Sequence, residues 1–144
     1  MIEATRFARV LVDTGPLVAV IHDDDQYHEI CLQTLARIRP PLLTCWPVLT
    51  EAAWLLRHST EQIKRIYRGV DEGLFRILPL EEGSLTLMGR TFARHSQLRP
   101  QLADLALLDL AETHQIQTLF TLDRRDFTAI HQRRHLQLLP ETLA

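Results

Sequence analysis

At 144 residues, with 46% hydrophobic and 24% charged side chains, the chain has the size and balance of one folded domain rather than a disordered or fibrous polymer. Its apolar runs fall short of the roughly 20 residues that a membrane-spanning helix needs, and its opening residues, interrupted by Glu3, Arg6 and Arg9 and closed by Asp13, do not read as a secretory leader. A net charge of −2 gives no overall basic surface of the kind that announces phosphate binding. The expectation is a single cytoplasmic domain over 1–144.

In chain order, residues 9–13 read as a short buried strand that ends in a carboxylate, Asp13. Thr14 can cap a helix with Pro16 in its first turn, running through Leu17, Val18 and Ile21. Asp23, Asp24 and Asp25 form an acidic loop, with Asp25 as a cap for the next helix. Tyr27, Ile30, Cys31, Leu35 and Ile38 then recur at helical spacing up to the Pro40-Pro41 stop. Residues 42–46 form a second apolar strand, and Pro47 starts a helix through Val48, Glu51, Ala52, Leu55 and Leu56.

Ser59 caps a further helix with Ile63, Ile66, Tyr67 and Val70 on one face. Residues 74–80 alternate as a third strand, and Leu85, Met88 and Phe92 mark another helix. After Pro100 a helix covers 102–114, residues 118–123 form a fourth strand ending in Asp123, and 136–139 can add a fifth. Strands separated by helices of this length predict an α/β domain, a mostly parallel sheet of four or five strands with helices on both faces. Ligands in such sheets bind beyond the carboxyl ends of the strands, where the strand order reverses.

Four acids stand inside apolar sequence: Asp13 in VLVDTG, Glu51 in LTEAAW, Asp104 in LADLAL and Asp123 in LFTLD. A buried carboxylate costs free energy unless it is paired, hydrogen-bonded or bound to a cation, and no basic residue occupies a matching apolar position. Each acid alone could equally cap a helix or end a strand, Asp104 above all, because carboxylates favour helix N-termini. Together they resemble the oxygen-rich clusters that bind hard cations such as magnesium, where hydrolysis of a phosphodiester becomes possible. Thr14 and Thr121 flank two of them and could orient them by hydrogen bonds. With those four set aside, the remaining acids number 14 against 16 basic residues, a mildly basic surround for an acidic centre.

The blocks VLVDTGPLVAVI, PVLTEAAWLL, LADLALLDLAE and TLFTLDRRDF resemble, in order and spacing, the motif blocks of PIN-domain ribonucleases, most of all the VapC-type toxins of prokaryotic toxin-antitoxin pairs. The resemblance runs from about Val10 to Pro140. It implies a three-layer α/β/α fold, Mg2+ or Mn2+ as cofactor, endonucleolytic cleavage of RNA, a homodimer and an antitoxin partner. By motif position it gives Asp13, Glu51, Asp104 and Asp123 the metal-site roles, with Asp126 as an outer-sphere contact. Relatives often carry a further acid where this chain has Gln101, so the number of metal ions stays open. A catalytically silent PIN-fold module that binds RNA or protein is the competing reading, and the presence of all four acids weighs against it.

Other features carry less. Asp13-Thr14-Gly15 is shared with aspartic proteases, but helical periodicity argues against their β-rich fold. The acid-rich segment between His22 and His28 reads as a solvated loop before a metal site. Arg124 and Arg125, next to Asp123, could contact RNA phosphates; Arg133 and Arg134 read as ordinary surface. Trp46 and Trp54 read as core packing or a dimer contact before base stacking. Cys31 and Cys45, among apolar neighbours, read as buried reduced thiols.

Overall fold

The computed structural model describes residues 6–130 and 135–143, so Glu3, Arg133 and Arg134 lie outside the described residues. Five strands, β1 (Val10–Val12), β2 (Leu42–Thr44), β3 (Phe75–Ile77), β4 (Thr118–Phe120) and β5 (Gln137–Leu139), form one sheet in the order β3-β2-β1-β4-β5. Every pairing is parallel. The central segments VLV, LLT and TLF are buried throughout, as strands covered on both faces must be.

The helices are α1 (Thr14–Ile21), α2 (His28–Leu35), α3 (Trp46–Leu55), α4 (Thr60–Asp71), α5 (Glu82–Arg94), α6 (Leu102–His114) and the short α7 (Arg125–Ala129). Parallel strands in this order, joined by right-handed crossovers, put α1 to α4 on one face and α5 to α7 on the other. That is the expected three-layer α/β/α arrangement. The helix α6 is sheathed in protein, burying Ala103 to Leu108, Leu110 and Ala111. The strand order reverses between β1 and β4, and Asp13 donates its backbone N–H to Phe120 O (2.9 Å) at that point.

Several expected boundaries move. Asp13, not Thr14, caps α1, because its carboxylate accepts from the Thr14 N–H. The helix expected to reach Ile38 stops at Leu35, and Ile38 instead bridges to Phe7. Asp25 accepts from the Tyr27 N–H at 2.8 Å, closing a turn one residue before α2 instead of capping it. The second strand ends at Thr44, with Trp46 already helical, and the third is confined to Phe75–Ile77. The expected 118–123 strand ends at Phe120, so Asp123 belongs to a turn.

One glycine is dictated by packing. A Cβ on Gly69 in α4 would lie 2.6 Å from the Phe75 ring, so only glycine lets that helix settle against β3. Cys31 and Cys45 are free and buried, and burial pushes their thiols up to about 12 and about 11, which keeps them protonated. Trp46 and Trp54 depart from the core-packing expectation: both are 63% exposed on α3, and the Arg57 guanidinium lies 3.8 Å over the Trp54 ring.

Candidate functional site

Beyond the carboxyl ends of β1 and β4 the chain gathers acids. Asp13 is buried where β1 gives way to α1, with Oδ1 accepting from the Thr14 N–H at 2.7 Å and Oδ2 from the Thr121 hydroxyl at 2.8 Å. Thr121 follows β4 directly and is fully buried. Its hydroxyl has one proton, which the short contact to Asp13 takes, and its oxygen accepts the Asp123 N–H at 3.1 Å. That bond curls the chain after β4 and leaves the Asp123 side chain exposed.

Asp104 lies in the first turn of α6, where Oδ2 accepts from the Gln101 N–H at 3.0 Å. The helix-capping reading of this residue therefore holds, but for only one of its oxygens. Burial raises its carboxyl to about 6 against that hydrogen bond, helped by the nearby charges of Asp13, Asp126 and Asp123. Asp13 is also raised, first by burial, with its two hydrogen bonds opposing and Glu51 and Asp123 adding repulsion. Glu51, half-buried in the second turn of α3, is raised by burial and then by the charge of Asp104.

The four acids picked out in the sequence thus repel one another in one region, and Asp126 joins them through Asp104. Asp126 is itself deeply set. It is 7% exposed, and Oδ1 is buried without a hydrogen-bond partner among the described residues. Asp126 stands in the first turn of α7, three positions after Asp123. The Thr14 hydroxyl is buried with no well-aligned hydrogen bond, yet it lies near enough to Glu51 to favour that carboxylate's charged form.

No arginine, lysine or histidine among the described residues forms an ion pair with any of these acids. Nor are three acidic, histidine or cysteine side chains drawn tightly enough, among the described residues, to make a finished ligand set. Desolvated, mutually repelling oxygen donors with one orphaned carboxylate oxygen suit a hard cation, which would draw them inward against their own repulsion.

The flanking arginines divide. Arg125 is exposed, whereas Arg124 is half-buried with Nε and Nη2 enclosed and unpartnered among the described residues, its charge acting on Glu141. Glu141 itself is gripped by Arg37 through two bonds of 2.8 and 2.7 Å. The histidine and aspartate loop before α2 is structural: His22 Nδ1 meets Gln62 Nε2 at 2.8 Å, His28 Nδ1 meets Ala19 O at 2.7 Å, and Arg65 pairs with Asp23 at 3.5 Å.

Comparison with known proteins adds a family. The PIN domain family model matches residues 10–131. Among solved structures, VapC20 of Mycobacterium tuberculosis, described as a sarcin-ricin loop cleaving toxin, superposes with a TM-score of 0.73 at 16% identity, covering 87% of this chain and 98% of that one. VapBC2 from Rickettsia felis, solved bound to a DNA fragment from their promoter, gives 0.61 at 15% identity over 92% of this chain and 98% of that one. PAE2754 from Pyrobaculum aerophilum gives 0.51 at 19% identity, over 85% and 86%. At such identities the likeness is one of fold. No curated protein matches the sequence.

Proposed function

The chain belongs to the PIN domain family, and on that premise we propose that it is a metal-dependent endoribonuclease, the toxin of a toxin-antitoxin pair. The observation that carries the reading is the set of Asp13, Glu51 and Asp104, all raised by burial and mutual repulsion, at the strand-order reversal of a parallel sheet with no basic counter-charge. Asp13, Glu51, Asp104 and Asp123 would hold Mg2+ or Mn2+, with Asp126 beside them. A bound ion of this kind lowers the pKa of a water and polarises the phosphate under attack.

The chain's own groups prepare that chemistry. Thr121 and the Thr14 N–H fix the plane of the Asp13 carboxylate, and the Gln101 N–H holds one oxygen of Asp104 so that the other stays available. Asp123, exposed in its turn, stands on the solvent side, where a strand of RNA would arrive. Arg125, exposed beside it, is the better placed of the two neighbouring arginines to meet a phosphate.

A protein partner, an antitoxin or a second copy in a homodimer, is supported by the apolar surface of α3 and α4. Trp46, Trp54, Leu55 and Tyr67 are more than half exposed there, and apolar surface concentrated in this way marks interaction sites more often than monomer surface.

The test is incubation of the purified protein with a mixed RNA pool in magnesium or manganese and in chelator. Metal-dependent fragments carrying 5′-phosphates support the reading. Absence of cleavage with either metal, in protein freed of any antitoxin, replaces it with a silent binding module.

A further inference from the structure

The acids gather beyond the carboxyl ends of β1 and β4, and the region beside the edge strand β3 holds a separate feature. A cavity of about 510 Å3 opens there, lined by Arg9 just before β1, Pro41 just before β2, Ile116 just before β4, and Arg76 of the edge strand β3. Arg39 adds a third arginine, His114 also lines the cavity, and no carboxylate does so among the described residues. Leu43 and Leu78 give it apolar wall as well.

One of the arginines is fixed in place. Arg9 Nη2 donates to His114 O at 2.7 Å, and the Arg9 backbone is held in the left-handed region (φ 55°), which is unfavourable for any side chain but glycine. The guanidinium groups of Arg39 and Arg76 are exposed and make no hydrogen bond or ion pair with a described residue. Three arginines thus line one concavity with no carboxylate among its described lining residues. Guanidinium forks match phosphate oxygens in pairs, apolar wall suits the flat face of a base, and the volume falls in the range of small-molecule sites.

We propose that this cavity is a second, non-catalytic site for a nucleotide phosphate, with Arg39 and Arg76 gripping the phosphate, Arg9 held beside them by His114, and the base against Leu43 and Leu78. The ligand is a free nucleotide or one residue of a nucleic-acid strand. Both present the same phosphate to the same forks.

The experiment is isothermal titration in chelator, which keeps metal from the acidic site, at fixed ionic strength with three probes: pyrophosphate, adenosine 5′-monophosphate and a single-stranded oligodeoxynucleotide. Wild type should bind saturably, and Arg39→Ala/Arg76→Ala should weaken binding roughly tenfold or more, since two charge-assisted contacts go. Arg39→Lys/Arg76→Lys, which keeps charge but loses the fork, should fall between them. Tighter binding of the monophosphate than of the oligonucleotide identifies a free nucleotide; tighter, steeply salt-dependent binding of the oligonucleotide identifies a strand. No saturable binding of any probe to wild type, or equal affinity in the double alanine variant, overturns the proposal.

Discussion

Thr121 reaches back 108 positions to donate its hydroxyl proton to Asp13 Oδ2 at 2.8 Å, tying the residue that follows β4 to the one that follows β1. With Oδ1 taken by the Thr14 N–H, the carboxylate is oriented before any ligand arrives. Thr121→Val keeps the shape and deletes the donor, leaving a buried carboxylate oxygen and the Asp123 N–H without their partner. We expect a loss of about 1–3 kcal/mol in urea unfolding and manganese binding weakened about 10- to 100-fold. Thr121→Ser should recover most of both. An unmoved urea midpoint in the valine variant would show that this bond does not hold the site.

Asp13→Asn, Asp104→Asn and Asp123→Asn should each reduce RNA cleavage by orders of magnitude, because an amide keeps the shape but not the charge that attracts a cation. Initial rates on one defined RNA, in matched manganese, measure this. Full activity in any two of the variants removes the assignment of these acids.

Asp126→Asn separates two roles that Asp126 could play. An acid in the inner set should behave like Asp104, with cleavage nearly abolished at every metal concentration. An acid acting through water should instead show cleavage that recovers as manganese is raised. Its buried, unpartnered Oδ1 favours the first outcome.

The sequence made the sheet and most of the candidate acidic cluster legible because buried parallel strands advertise themselves as unbroken apolar runs, and an acid interrupting such a run stands out. What it hid depended on distant partners. Nothing local in TLFTLD marks the end of β4, since the turn at Asp123 is made by a Thr121 hydroxyl whose own orientation is fixed by Asp13. Core packing, one of the two readings of the tryptophans, failed for a related reason: helical spacing is the same on an apolar face turned to the core and on one left outside. Arg124, read in the sequence as able to contact RNA phosphates, has a partly enclosed guanidinium that acts on Glu141, a residue near the far end of the chain.

Gly69→Ala pits two effects against each other. Alanine in a helix interior gains about 1 kcal/mol over glycine, but the new methyl would lie 2.6 Å from two atoms of the buried Phe75 ring, which has no flexible end to withdraw. Overpacking of that kind costs about 1–3 kcal/mol, so the variant should melt lower than wild type. Phe75→Leu in the same background should relieve the clash. A higher melting temperature for Gly69→Ala alone would mean that α4 shifts freely on β3.

The acidic cluster also fixes a sign for the pH dependence of stability in chelator. Asp104 titrates near 3.8 when unfolded and about 6 when folded, so the folded state binds its proton more tightly. Its contribution is fully present below pH 4 and is lost as pH rises through about 6. At pH 7.5 the ionised Asp104 therefore opposes folding, by about 1–2 kcal/mol once partial solvent access and relaxation are allowed for. Asp104→Asn cannot ionise and can still accept the Gln101 N–H. It should accordingly melt higher than wild type at pH 7.5 in chelator, and the gap should close toward pH 4. Asp13 and Glu51 are shifted in the same direction and persist in the variant; because the charge of Asp104 also raises Glu51, the difference between the two melting curves reports Asp104 together with its repulsion of Glu51. Manganese should reverse the order at pH 7.5, since an ion at roughly ten times its dissociation constant adds about 1.4 kcal/mol to a protein that binds it only when folded, and the asparagine variant should gain much less. Equal manganese shifts in both proteins would mean that Asp104 holds no ion, even if the pH dependence came out as expected.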